Sequence, residues 1–572
     1  MPGYYNMNKA INIYQVFTRL FRNDNQTNKP FGSIEENGCS KFSHFSPRVL
    51  QALKEFSITH IWFTGVIRHA TCTGYEKYGL PAYNPLIVKG VAGSPFAITD
   101  YYDVDPDLAD DPKNRMHEFE ALLERCHDQG FKVIIDFVPN HVSRQYGSIN
   151  LPEASFDLGA KDNPEHAFSP SNNFYYVPGQ AFQTPSGINY PYTIGTGAYK
   201  EFPAKVTGND AFTFHPGIND WYETIKLNYG VDYQNDRKTH FEPIPDTWEK
   251  MIQIMKFWAG KGVDAFRCDM AEMVPVQFWA WALPQVKKLN NEINFIAEVY
   301  DPGEYKKYIN AGFDYLYDKV GFYDILRALI EGHGSCRQLT QLWQSYEGFS
   351  DRMLRFLENH DEQRIASPQF ANDPRKAIPA MILAATFNTG PLMLYFGQEI
   401  GEKAIDTEGF SELDGRTTIF DYWCVNQYQK WVNGGLVNSD LLNKDQKQLR
   451  AFYAMLNQLR IKSKAIYAGG FYDLMWLNNK NVDSDKIFAY LRYYLDEVLL
   501  VVLNFDLTRS FDIRLKISRD AINLTGLSEL QEWTAIEITE KKLSLKFDPK
   551  DAQNEGIAIH LPVNSGLVFD LK

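Results

Sequence analysis

The sequence predicts an α/β fold: a (β/α)8 TIM barrel with an irregular domain inserted after its third strand and a C-terminal antiparallel β-sandwich. Three observations predict it. From about residue 11 to residue 400, short β-branched and aromatic runs alternate with helical patterns, as a parallel sheet with crossover helices requires. Between residues 142 and 245 this rhythm stops among Gly, Pro, Asn and aromatic residues. A structureless loop of that length does not suit a barrel, so the interval reads as an inserted unit. After about residue 468 the pattern changes again, to closely spaced strands.

The expected barrel strands are Ile13–Phe17, Ile58–Val66, Lys132–Val138, Val263–Met270, Ile293–Tyr300, Phe313–Val320, Met353–Asn359 and Leu392–Phe396. Ser46-Pro47 offers a helix cap followed by proline at the first helical position. Asp246 is expected to cap the helix carrying Met251, Ile252, Met255 and Trp258, which Gly260 and Gly262 close. Leu449, Phe452, Leu456 and Leu459 mark a last amphipathic helix. Ile487–Leu495, an Asp496-Glu497 turn and Val498–Phe505 read as a hairpin, with further strands around Ile513, Leu543 and Ile557. The resulting division is 1–141 and 246–468 for the barrel, 142–245 for the insertion and 469–572 for the sandwich.

Composition narrows the function. The chain has 572 residues, 44% hydrophobic and 23% charged, which is the balance of a globular protein. A net charge of −13 without runs of like charge argues against nucleic acid or an anionic membrane as partner. Aromatic content of 15% agrees with a neutral carbohydrate ligand, whose rings stack on aromatic faces. The six cysteines show no CxxC pair, so a zinc site is not expected. The opening residues lack a secretory pattern and no stretch is apolar enough to span a membrane. A cytoplasmic protein with reduced thiols is expected.

Four segments carry chemistry at strand ends: Asp136-Phe-Val-Pro-Asn140-His141, Phe266-Arg267-Cys-Asp269, Ile296-Ala-Glu298 and Glu358-Asn359-His360-Asp361. Carboxylates at the C-terminal ends of successive strands converge only if the strands close into a barrel. Arg267 and Asp269 are two residues apart, so both point to one face, and the arginine is expected to keep Asp269 ionised. Glu298 follows an apolar run, where desolvation favours the protonated acid. Three acids at one barrel mouth are the inventory of a retaining glycosidase. Taken singly, each segment has a plainer reading: a buried ion pair, a rim glutamate, or Asp361 capping its own helix.

In this order and spacing the segments resemble the α-amylase family, the TIM-barrel family acting on α-glucosidic bonds. Gly93-Ser-Pro-Phe-Ala-Ile-Thr-Asp-Tyr-Tyr-Asp-Val-Asp-Pro106 and Tyr395-Phe-Gly-Gln-Glu-Ile-Gly401 add to the resemblance, which covers nearly the whole chain. It implies Asp269 as nucleophile, Glu298 as general acid/base and Asp361 as the residue that binds hydroxyls and distorts the sugar. Arg267 would hold Asp269, and His141 and His360 would bind hydroxyls of the sugar being cleaved. Phe96 stands where the family usually has a stacking tyrosine. Met273 stands where many relatives have His or Lys facing the leaving sugar. The implied substrate is a maltooligosaccharide or α-glucan, hydrolysed with retention. A transglycosylase of the same family is the alternative, and a noncatalytic carbohydrate-binding relative a third reading.

No cofactor is required by this chemistry. The resemblance does imply calcium on Asn140, but the matching stretch Ile225-Lys226-Leu227-Asn228 has lysine where relatives supply an aspartate. Asn23, Asn25 and Asn28, in the loop after the first strand, form a second candidate Ca2+ loop. Phe174, Tyr175, Tyr176, Tyr190, Tyr192 and Tyr199 are expected mainly to pack the inserted domain.

Overall fold

The computed structural model describes residues 10–152, 156–527, 532–539 and 543–572. Residues 1–9, on which the argument about a secretory signal rests, lie outside the described residues. Eight strands lie parallel in one sheet: β1 (Asn12–Phe17), β2 (His60–Thr64), β3 (Lys132–Phe137), β4 (Ala265–Cys268), β5 (Asn294–Ala297), β6 (Tyr315–Tyr317), β7 (Met353–Leu354) and β8 (Leu392–Tyr395). Seven of them follow chain order from β1 to β7, and β8 pairs with β1. The ends meet through the parallel bridge between Arg355 and Leu392. There Arg355 N donates to Pro391 O at 3.0 Å and Met393 N donates to Arg355 O at 2.8 Å. The expected barrel is present and closed.

Seven of the eight strands are shorter than the runs that predict them, β1 being one residue longer; past the ends of β4 and β5, Asp269 and Glu298 leave the ladder for the mouth. Inside, Ile13, Trp62, Ile134, Ala265, Ile296, Tyr317, Leu354 and Met393, one from each strand, belong to a separate buried cluster that fills the lumen. Side chains alternate along a strand, so residues two further on share the inward face one layer higher. On β1 to β5 those residues are Gln15, Thr64, Asp136, Arg267 and Glu298. The apolar floor therefore carries a polar layer directly above it.

The helix Pro47–Glu55 starts as expected, with Val49 N donating to Ser46 Oγ. Asp246 does not cap its helix. It is the first residue of Asp246–Gly260, behind Pro245, and its carboxylate pairs with Lys250 at 2.6 Å. The interval 142–245 contains short antiparallel ribbons, including His141–Ser143 with Thr224–Lys226 and Tyr176–Val177 with Ala204–Lys205, and no α-helix among its described residues. Tyr175 packs there against Phe212 and Tyr233 as expected. Tyr190 instead meets Phe31 and Phe410 from barrel loops, at 5.7 and 5.1 Å between ring centres.

The C-terminal part is antiparallel: a six-stranded sheet built on the hairpin Ile487–Tyr494 and Glu497–Asn504, and a two-stranded sheet of Phe511–Leu515 with Ile557–Leu561. From the hairpin, the fully buried Arg492 reaches back to the barrel side. It donates to Phe387 O, Ala465 O, Ile466 O and Gly469 O at 2.9–3.1 Å. Among the described residues no helix is long and apolar enough to cross a membrane. All six cysteines are free thiols.

Candidate active site

The site is built around Arg267, whose side chain is 0% exposed. Its Nη1 donates to Asp269 Oδ1 at 2.7 Å and lies 3.4 Å from Asp136 Oδ1, and its Nη2 lies 2.7 Å from Glu298 Oε2. Three neighbouring strands thus bring one carboxylate each to a single guanidinium, with Trp62 Nε1 donating to Asp136 Oδ2 at 3.1 Å. The rings of Trp62, Phe96 and Tyr317 stand 5.6, 5.4 and 5.5 Å from the guanidinium carbon. A buried guanidinium is costly unless paired, and the acids supply that pairing.

Asp269, Glu298 and Asp361 line one cavity of about 380 Å3 together with Phe96, His141 and Trp221. Glu298 is held at both oxygens: Met270 N donates to Oε2 at 2.7 Å and the Tyr300 hydroxyl to Oε1 at 2.6 Å. Asp361 does not cap its own turn. Asn359 Oδ1 does so, accepting from Asp361 N and Glu362 N at 2.9 Å each. The Asp361 carboxylate thereby faces the cavity with 38% exposure, its Oδ2 3.2 Å from His360 Nε2. Glu358 turns away from the mouth instead of joining it. It accepts from Arg364 Nη1 at 2.9 Å and Ile365 N at 2.7 Å, and burial pushes it up to about 7.

Burial works against the expected effect of Arg267 on Asp269. Burial pushes Asp269 well above the usual carboxylate range, against the pull of Arg267, and the charges of Glu298, Asp136 and Asp361 push the same way. One guanidinium does not neutralise this many acids.

Both histidines are neutral. Burial, helped by Lys226 and Lys89, pushes His141 down to about 3, and burial with Arg267 does the same to His360. His360 lies beneath the cavity, its ring 5.2 Å from Phe96 and its Nδ1 2.8 Å from Gln15 Nε2. With the amide donating, the imidazole proton sits on Nε2, which lies 3.2 Å from Asp361 Oδ2. His141 is packed against Gly208, where an added Cβ would come within 2.9 Å of the imidazole side chain.

Met273 is not among the residues lining this cavity, whereas Met270, in the left-handed region at φ 42°, is. The cavity also includes residues the strand-end reading passed over: Trp221, the ion pair of Lys89 with Glu223 at 3.1 Å, Tyr300 and Phe420. Trp221 and Glu223 lie in the aperiodic insertion, where no pattern singles them out.

The asparagines named for calcium make hydrogen bonds within the chain. Asn140 Oδ1 accepts from Lys226 Nζ at 2.8 Å, and that ammonium also pairs with Asp210 at 2.5 Å. An ammonium at this oxygen does not suit a divalent cation. Asn25 Oδ1 accepts from Thr27 N and Oγ1, and Asn28 Oδ1 from Cys424 N. Asn23 directs its amide to Asn37 O and Trp423 O.

Comparison with known proteins follows the same line. A family model described as the α-amylase catalytic domain matches residues 15–469. The chain is 23% identical over 529 residues to Alpha-amylase 3 of Dictyoglomus thermophilum, covering 86% of this chain and 84% of that protein. It is 23% identical over 502 residues to a cyclomaltodextrinase of a Bacillus species, covering 86% and 72%. The crystal structure of a maltogenic α-amylase from Thermotoga neapolitana superposes with a TM-score of 0.62 at 21% identity, covering 98% of each chain, a likeness of fold. With its closed barrel and its match over most of its length, the chain belongs to the α-amylase family.

Proposed function

We propose that the protein cleaves α-glucosidic bonds, α-1,4 bonds above all, of maltooligosaccharides or α-glucans with retention of configuration. The names of its relatives, amylase and cyclomaltodextrinase, support a glycoside hydrolase or transglycosylase. The observation that carries the finer reading is the guanidinium of Arg267 shared by Asp269 and Glu298, with Asp361 on the same cavity. Two carboxylates on one guanidinium favour the short spacing of a retaining pair, about 5–5.5 Å, over the ~6.5–9.5 Å of an inverting one.

In this reading Asp269 attacks the anomeric carbon while Glu298 gives its proton to the glycosidic oxygen, and the bond to the leaving sugar breaks. The β-linked ester on Asp269 is then attacked by water, which passes a proton to Glu298 and restores the α configuration. Asp361 and His141 hold hydroxyls, Phe96 supports the ring, and His360 stands behind Asp361. Arg267 spreads its charge over nucleophile and acid. A second reading, transfer to another sugar, draws on Met270 and Tyr300 beside Glu298, which offer an acceptor an apolar, half-sheltered wall. No calcium is proposed at Asn140, since Lys226 already supplies its cation; activity is expected to survive a chelator.

The test is a time course of products from maltoheptaose, pullulan, trehalose and sucrose, with the anomer of the new reducing end read by NMR. Shorter α-anomeric maltooligosaccharides are expected, and products longer than maltoheptaose would favour transfer. Initial β-anomers, or no cleavage of any α-glucoside, would overturn the proposal.

A further inference from the structure

We propose that Tyr300 is a positioning residue for Glu298, assisting it as it protonates the leaving group; this rests on the acid/base reading of Glu298 above. The Tyr300 hydroxyl donates to Glu298 Oε1 at 2.6 Å. The other oxygen, Oε2, already takes Met270 N–H at 2.7 Å and the Arg267 contact at 2.7 Å. Oε1 is thus the oxygen left to face the substrate, and the phenol is the group that touches it. Tyr300 lines the same cavity and is half-buried, so substrate entry need not displace it.

The loop carrying Tyr300 is held by a reciprocal exchange. Glu298, at the end of β5, accepts a backbone N–H from the loop after β4. Glu272, in that loop, accepts Tyr300 N at 2.9 Å and Asp301 N at 3.2 Å. Two carboxylates thus cross between the loops, one in each direction. Glu272 serves the geometry without touching the reacting atoms.

Chemistry gives the phenol its direction. Burial, with the charges of Glu298 and Asp361, holds the Tyr300 phenol far above its ordinary range, so it keeps its proton and donates. Glu298 can carry its acidic proton on Oε1 while that oxygen still accepts the phenolic hydrogen bond. As the proton moves to the glycosidic oxygen, negative charge grows on Oε1 and the bond from Tyr300 strengthens. An interaction stronger in the transition state than in the ground state raises the rate. The gain of a neutral hydrogen bond on becoming charge-assisted corresponds to about 10- to 100-fold.

The test separates acid assistance from packing. Tyr300→Phe keeps the ring and removes the donor; kcat/KM reports only steps up to formation of the glycosyl ester. On maltotriose, whose leaving sugar needs a proton, kcat/KM is expected to fall about 10- to 100-fold. On α-maltosyl fluoride, whose leaving group departs with far less assistance, it is expected to stay within about threefold. Glu272→Gln, which weakens the clamp on Tyr300, is expected to show the same selectivity at smaller amplitude. Equal losses on the two substrates for Tyr300→Phe, or no loss on maltotriose, would overturn the inference. A wild-type protein that cleaves neither substrate would remove the reading of Glu298 itself, and this inference with it.

Discussion

Two groups of buried carboxylates in this molecule look alike by charge and differ in use. One surrounds Arg267. The other gathers Asp103, Asp105 and Asp107 near the strands Ile67–His69 and Ile98–Val104. There Arg115 grips Asp103 at 2.8 and 2.7 Å, and His69 Nδ1 lies 3.0 Å from Asp105 Oδ2. The hydroxyls of Tyr75 and Tyr422 donate to Asp107 at 2.8 and 2.5 Å. Burial pushes Asp105 and Asp107 up to about 6, as it does Asp136 beside Arg267. None of His69, Asp105 and Asp107 lines the active-site cavity, whereas Asp269, Glu298 and Asp361 all do. A displaced titration marks an acid in a hard place; access by a substrate makes it useful.

The largest expected effect breaks the comparison at its first member. Asp269→Asn should lower kcat on maltooligosaccharides by about 10^4-fold or more while far-UV circular dichroism stays that of wild type. Next comes Asp107→Ala. It strands two phenol hydroxyls and should cost about 2–3 kcal/mol in denaturant unfolding, with kcat of the folded protein within about twofold. A loss of kcat comparable to that of Asp269→Asn would erase the distinction between the clusters.

The smallest effect is in stability against pH. Asp105, Asp107 and Asp136 are raised to about 6 and Glu358 to about 7. A raised carboxylate binds its proton more tightly folded than unfolded. Its contribution is fully present below its unfolded value near pH 4 and fades as pH climbs through 6 to 7. The thermal midpoint should therefore drop by a few degrees between pH 5 and pH 8, and less in Glu358→Gln. A midpoint that rises over this interval would contradict the sign.

Much of this was legible from residue order. The eight strands follow from apolar runs, and the three acids from those runs that end in Asp or Glu, because a barrel gathers those ends. Details set by hydrogen bonds between loops were not legible. Asn359, two residues before Asp361, takes the turn's N–H groups, and nothing in Glu-Asn-His-Asp says which side chain will do so. Met270, just ahead of the short 3-10 turn Ala271–Met273, lines the cavity and Met273 does not. Tyr300 and Trp221 become visible only once Glu298 and His141 have neighbours in space. The upward displacement of Asp269 depends on burial and on carboxylates from three other segments, a sum that spacing along one strand does not contain.

Arg492 has a consequence for how the chain can be divided. Its guanidinium ties three carbonyl oxygens of the barrel part, on Phe387, Ala465 and Ile466, and a fourth at the junction, on Gly469, to a strand of the tail. A protein cut before that strand would lose the cation and leave those oxygens without their common donor. Tail and barrel are therefore expected to melt as one cooperative body, and the tail is an integral buttress, not a detachable appendage.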